Sequence, residues 1–232
     1  MPFFLTDRAE NAKELMDDPN CDREELFNTY RQFGVINSLI SQWSKIYQQH
    51  IIPICKNLDR PCTLLDIGFG GGDIPINIAK WAQKDGLKIE ITAIETDKRA
   101  YKYIQDITPP DNIVFKLISS TELLAQGNEY DIVISNHLLH HLDQSGLAQI
   151  LEESKKLSRH AVLFNDLERS DIAYGLFNIL SRPIFRSSFI TRDGLTSIKR
   201  SYTKDELRQV APNGWKVHRL FPFRLLLSYS HE

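Results

Sequence analysis

Thr63-Leu-Leu-Asp-Ile-Gly-Phe-Gly-Gly-Gly-Asp73 carries the plainest chemical signal in the chain: an apolar run reaches Asp66 and then passes into a turn holding Gly68, Gly70, Gly71 and Gly72. Glycine alone takes positive φ without steric cost and lets a ligand rest on bare backbone, so this turn is shaped around a bound molecule. A phosphate ligand is disfavoured. A P-loop requires Gly-Lys-Ser/Thr after its glycines, where this chain has Asp73-Ile74-Pro75. A dinucleotide turn would place its third glycine at position 73, where the aspartate would repel a pyrophosphate. The second signal is Asn136-His-Leu-Leu-His-His-Leu142, in which His137 stands three and four residues before His140 and His141. Imidazole titrates near neutral pH and can take a proton from a hydroxyl, so an acid–base role is expected of one of them. No metal is expected, because no cysteine or second carboxylate sits at ligand spacing and histidines of one turn rarely close a coordination shell.

Strands and helices must alternate to bring these groups together. Residues 63–67, 88–95, 114–119, 130–135 and 158–166 read as strands, and 215–220 with 224–230 as a closing pair around Pro222. Pro75 suits the first turn of a helix after the glycines, and Asp97 suits the N-cap of a helix from Lys98. Residues 7–17 and 22–50 have helical spacing, the second with Asp22 as its cap and Leu26, Tyr30, Phe33, Ile36, Leu39, Ile40 and Trp43 as its apolar stripe. Thr203-Lys-Asp-Glu206 is a capping box.

Leu64 to Asp73, followed by Lys88–Glu95 and Tyr130–Ser135, resembles motif I and the flanking strands of the class I S-adenosylmethionine-dependent methyltransferases, over residues 60 to 166. The resemblance implies an α/β, Rossmann-like fold with a seven-stranded, mostly parallel sheet of order 3-2-1-4-5-7-6 and helices on both faces. It implies S-adenosylmethionine as cofactor, with Asp66, Gly68, Gly70 and Gly72 around its methionine part. Glu95 falls where the family holds the ribose, and a carboxylate's two oxygens can accept from both vicinal hydroxyls. Ser119 aligns with the group that meets the adenine amine, and Asn136, His137 and His140 border the reaction centre. In related enzymes N-terminal helices close over the pocket, which makes Tyr30, Arg31 and Asn37 substrate contacts. Asn165-Asp-Leu-Glu-Arg-Ser170 and the Ser197–Thr203 run resemble the ubiquinone/menaquinone-methylase-like group, so a phenolic or enolic oxygen of a polyketide- or quinone-like compound is the expected acceptor.

Asp166 and Arg169 follow the fifth strand on the ligand side of an open sheet and stand as acceptor contacts or as a helix cap with a charge pair. The expected organisation is one domain: a helical lid (1–57), a cofactor-binding core (58–170), a substrate-covering insertion (171–202), and a closing helix and hairpin (203–232). The chain has 232 residues, 42% of them apolar, with a net charge of −2, so a single full core is expected and a nucleic-acid partner is not. Cys21, Cys55 and Cys62 form no Cys-x-x-Cys pair, which suits a reducing cytoplasm. Neither a signal peptide nor a membrane span is expected. Two competing readings are a nicotinamide oxidoreductase, against which Asp73 argues, and a cofactor-binding protein without catalysis.

Overall fold

The computed structural model describes residues 2–231. Its sheet has seven strands: β1 (Cys62–Ile67), β2 (Ile89–Glu95), β3 (Ile113–Leu117), β4 (Tyr130–Asn136), β5 (Ser158–Leu167), β6 (Lys216–Leu220) and β7 (Arg224–Ser230). Their order is β3-β2-β1-β4-β5-β7-β6, as expected from the sequence. β1 pairs in parallel with β2 and β4, β5 pairs antiparallel with β7, and β6 and β7 form the closing antiparallel pair. The helices are α1 (Arg23–Ile40), α2 (Trp43–Ile46), α3 (Ile52–Lys56), α4 (Asp73–Lys84), α5 (Lys98–Gln105), α6 (Ser120–Ala125), α7 (Gln144–Leu157), α8 (Asp171–Ile184), α9 (Ile190–Arg200) and α10 (Lys204–Val210). Among the described residues no helix is long and apolar enough to cross a membrane.

Both faces of the sheet are covered, so its central strands are mostly apolar, with Asp66 on β1 and Asp131 and Ser135 on β4 as buried exceptions. Successive side chains point to opposite faces. Leu64, Ile91, Ile132 and Leu226 therefore pack with Trp43, Ile51 and Ile78 on one side, while Leu65, Val133, Val162 and Leu225 pack with Leu147, Leu151 and Leu207 on the other. The strand order reverses between β1 and β4, and an open sheet forms its ligand crevice at the carboxyl ends of strands at such a point.

Two helical expectations are corrected. Residues 7–17 hold only a 3-10 turn, Leu15–Asp17. The segment is instead an extended strap: Asp171 accepts from the amides of Phe3, Phe4 and Leu5, Asp193 from those of Leu15 and Met16, and Ala9 donates to the Lys199 carbonyl. Residues 22–50 are not one helix. α1 ends at Ser41, whose carbonyl accepts from Asn165 Nδ2 on β5, and Gln42 turns the chain with φ 59° before α2. A π-helical turn at Tyr47–Ile51 then leads into α3. Residues 171–202 form α8 and α9, and β3 stops at Leu117, two residues short of its expected end.

Candidate functional site

The glycine turn takes left-handed backbone at Gly68 (φ 78°), Gly70 (φ 51°) and Gly72 (φ 77°). Gly68 and Gly70 line a cavity of about 670 Å³ at the carboxyl edge of the sheet, a size typical of small-molecule pockets. Gly71 has a different duty: a Cβ there would lie 2.7 Å from the Tyr30 carbonyl oxygen, so only hydrogen lets α1 lie against the turn. Gly72 does not reach the cavity. A Cβ on it would collide with Ile104 Cδ1, so it serves the contact between the turn and α5.

Three carboxylates surround this end of the cavity. Asp66 is buried, its Oδ1 has no hydrogen-bond partner, and burial together with the charges of Asp73 and Glu95 pushes its carboxyl well above the usual range. Asp73, at the start of α4, accepts from Asn37 Nδ2 at 3.0 Å, yet burial lifts it to about 6. Glu95 ends β2 and accepts from the amides of Gly70 (3.2 Å), Thr96 (2.8 Å) and Asp97 (3.2 Å), which aims it across the turn. An orphaned buried carboxyl beside two others calls for a cation. Among the described residues no lysine or arginine lines the cavity. The donor set therefore fits the ammonium and sulfonium of S-adenosylmethionine, with Glu95 able to accept from ribose hydroxyls, and it opposes a pyrophosphate.

The histidines sit at the other end, on the 3-10 turn Leu139–His141 that follows β4. This turn is too short to satisfy its own carbonyls, and two arginines do so instead. Arg8 donates to the carbonyls of His140 and Leu142, and Arg200 to those of His140 and His141. His140 is 1% exposed and lies between two acids, with Asp166 Oδ1 2.7 Å from Nδ1 and Glu14 Oε1 3.4 Å from Nε2. Burial alone would depress its pKa, but the Asp166 carboxylate and Glu14 together raise it to about 9. Asp166 is held below the usual carboxylate range against the same burial by His140, and Glu14 by His140 and His141. The ligating atoms of Glu14, His140 and His141 come within 4.8 Å of one another, a spacing open to a metal ion; an imidazolium between carboxylates already balances the charge there. His137 adopts φ 61°, and its Nε2 is 2.9 Å from Nη1 of the fully buried Arg224. Burial and then the Arg224 charge push His137 well below its ordinary value, so it is neutral with Nε2 as acceptor and Nδ1 carrying the proton.

The structure gathers most of the remaining candidates and disperses the rest. Tyr30, Asn37 and Asn136 line the cavity. Asn136 Oδ1 accepts from Trp43 Nε1 (3.0 Å) and Arg224 Nη2 (2.8 Å), which fixes the direction of its amide. Ser119 does not line the cavity: it caps α6 in a reciprocal box with Glu122. Arg31 is exposed on α1 and donates to Asn28 Oδ1. Arg169 is buried with donors taken by the carbonyls of Leu5, Thr6 and Ser201 and by Glu206, so it braces the strap instead of meeting an acceptor. Asp166 likewise reaches the site only through His140. Sequence reasoning missed Glu14, Trp43 and Arg224 as parts of the site; each depends on a contact between distant segments that no local pattern announces.

Residues 64–160 match the family described as a methyltransferase domain. No curated protein sequence matches the chain. Among solved structures, the plantazolicin methyltransferase BpumL in complex with SAH superposes with a TM-score of 0.65 at 15% identity, over 92% of this chain and 91% of that one. Human N-acetylserotonin methyltransferase with SAM gives a TM-score of 0.63 at 11% identity, over 91% of this chain and 56% of that one. Magnesium protoporphyrin IX methyltransferase from Synechocystis PCC 6803 with SAH gives 0.54 at 11% identity, over 90% and 97%. Strand order and glycine turn agree with these matches: the chain has the Rossmann-like methyltransferase fold, and its residues 64–160 match a methyltransferase domain.

Proposed function

We propose that this protein methylates a small molecule at a phenolic or enolic oxygen, on a polyketide- or quinone-like compound of the kind handled by ubiquinone/menaquinone-methylase-like enzymes. One observation carries the reading: a single cavity joins the acidic end at Asp66, Asp73 and Glu95 to the histidine end at His137 and His140, under apolar side chains of α1, α8 and α9. Bound S-adenosylmethionine supplies an activated methyl group. The chain's own residues do the rest. Asp66, Gly68, Gly70, Glu95 and Asn136 hold and orient the cofactor; Tyr30 and Asn37 on α1 act as part of a lid that excludes water.

A hydroxyl must lose its proton as its oxygen gains the methyl group. His140, oriented through Nδ1 by Asp166, is the base: at its raised pKa of about 9 it rests as an imidazolium, it gives its Nε2 proton to Glu14 as that carboxyl swings away, and the freed nitrogen then takes the hydroxyl's proton as the oxygen gains the methyl group. His137 presents Nδ1–H as a donor to the developing phenolate. The strap and α1 work as the lid and α8–α9 as the substrate cover, in a cytoplasmic protein whose Cys21, Cys55 and Cys62 are free thiols.

Calorimetry with SAH and NAD, followed by turnover of methyl-labelled S-adenosylmethionine over a panel of phenols and enols, tests this. SAH binding without NAD binding, and label on oxygen, are expected. Binding of NAD in place of SAH would overturn the reading, and cofactor uptake with no transfer to any hydroxyl would reduce the protein to a binding module.

A further inference from the structure

Glu14 reaches the histidine turn from the strap and faces two rings at once. Its Oε1 lies 3.4 Å from Nε2 of His140 and its Oε2 3.8 Å from Nε2 of His141. The His140 nitrogen is buried and has no hydrogen-bond partner among the described residues. The ligating atoms of all three residues lie within 4.8 Å of one another. Two ligand atoms held tetrahedrally at about 2.0–2.1 Å from one ion stand roughly 3.3 Å apart. Both contacts of Glu14 come within about half an ångström of that separation, so small side-chain shifts would close the set.

The surroundings supply what an ordinary ion pair does not need. A metal-bound histidine normally gives its other ring N–H to a carboxylate, which fixes the tautomer and aims the free nitrogen at the ion. Asp166 Oδ1 is 2.7 Å from Nδ1 of His140 and Asp17 Oδ2 is 3.6 Å from Nδ1 of His141, so both rings turn Nε2 towards Glu14. Ser197 Oγ on α9 donates to Glu14 Oε1 at 2.8 Å, as a ligating carboxylate also requires. The carboxylate that the sequence of the histidine turn lacks is thus brought to it by the fold. Two imidazole nitrogens and one carboxylate suit zinc and its first-row neighbours, whereas magnesium and calcium take oxygen ligands. Without a metal the His140 imidazolium balances the acids that face it, and a divalent cation carries the charge to replace it.

We propose that Glu14, His140 and His141 form a zinc-type metal site, and that an ion held there stops methyl transfer by fastening Glu14 to His140 and occupying the nitrogen that must take the acceptor's proton. All three ligands line the cavity, so a fourth position stays open to it for water. The metal site goes beyond the methyl-transfer reading, and only its effect on turnover rests on that reading.

The test uses the whole chain, stripped of metal with a chelator that is then removed. Calorimetry should show one zinc ion bound per chain and no magnesium, and cobalt in place of zinc should give the visible bands of a four-coordinate ion. Glu14→Gln and His141→Gln should each weaken zinc binding at least about tenfold and remove the cobalt bands. Unchanged SAH affinity in both shows that they are folded. Turnover over the phenol panel should fall as zinc fills the wild-type site, recover with chelator, and resist the same zinc concentration in His141→Gln. Zinc affinity equal in the wild type and both variants places the ion at other histidines and overturns the proposal, as does a wild type that binds no zinc. Turnover that holds level or rises as the site fills overturns the inhibition. Absence of transfer to any acceptor would remove the methyl-transfer reading, while calorimetry and the cobalt bands still decide the metal site.

Discussion

Asp73 should make cofactor binding depend on pH, and the size of the effect follows from its surroundings. Its carboxyl is raised to about 6 by burial, against hydrogen bonds from the Asn37 amide and from the backbone amides of Asp73 and Ile74. A group of that pKa is about one-tenth ionised at pH 5 and nine-tenths ionised at pH 7. A cation in the cavity selects the ionised form, so affinity for SAH, which bears an ammonium, should rise about ninefold over this interval, or about 1.3 kcal/mol. The sign is fixed by the direction of the shift: an acid raised in the free protein gives up its proton on binding, and acidification opposes binding. Asp66, also raised, adds to the release. Calorimetry between pH 5 and 7, in buffers of different ionisation enthalpy, counts the protons directly. Asp73→Asn keeps an amide partner for Asn37 and should lower the release near pH 6 by up to about half a proton. Binding without proton release, or the same release in Asp73→Asn, would show that the acidic end does not face the ligand's cation.

Glu95→Gln keeps an acceptor for the turn amides but loses the charge, and should weaken SAH binding about ten- to a hundredfold, the worth of about 1.5–3 kcal/mol in charged hydrogen bonds; calorimetry showing wild-type affinity would detach Glu95 from the ribose. Gly71→Ala should be more damaging to thermal stability than alanine at Gly175 on α8, because its Cβ meets the rigid carbonyl of Tyr30 whereas at Gly175 nothing lies within 4 Å and the backbone is helical; equal melting temperatures would mean that α1 is not seated on the turn. His140 stabilises the fold through a raised pKa, so its contribution is complete below pH 6.5 and is lost as pH climbs through about 9. Denaturant titrations should show the wild type losing about 3 kcal/mol across that window by the size of the shift, and His140→Gln should lack that loss. Parallel curves for the two proteins would place the proton elsewhere.

Features specified by adjacent residues were legible in the sequence. The alternation of strands and helices follows from the apolar runs, the glycine turn and the acid ending β2 follow from motif spacing, and the strand order was implied by the family resemblance. Features that depend on a long-range hydrogen bond were not. Helical spacing in residues 7–17 is overridden because Asp193, far along the chain, takes the Leu15 and Met16 amides, while Asp171 anchors the Leu5 amide just ahead of the segment. The long helix from Asp22 breaks where Asn165 takes the Ser41 carbonyl. Ser119 looked like an adenine contact only while β3 was drawn too long; with the strand ending at Leu117, its hydroxyl caps α6. Asp166 and Arg169, paired in the sequence as acceptor contacts, separate into a partner for His140 and a brace for the strap.

Charge selectivity is the property that composition hid most completely. The chain holds 28 lysines and arginines against 30 acids, which predicts no preference for either sign of ligand. The fold sorts them. Arg8 and Arg200 turn to the carbonyls of the histidine turn, Arg169 to the strap and Arg224 to Asn136, Asn165 and His137. These cations stand behind the cavity wall, bonded to backbone or polar groups that include the wall's own Asn136, His137, His140 and His141, and the carboxylates face inward. A near-neutral protein thus presents an anionic pocket. Arg224 is therefore the arginine whose loss should alter cofactor affinity without touching the cofactor, because it fixes Asn136, whose amide donates to Asn37, the partner of Asp73.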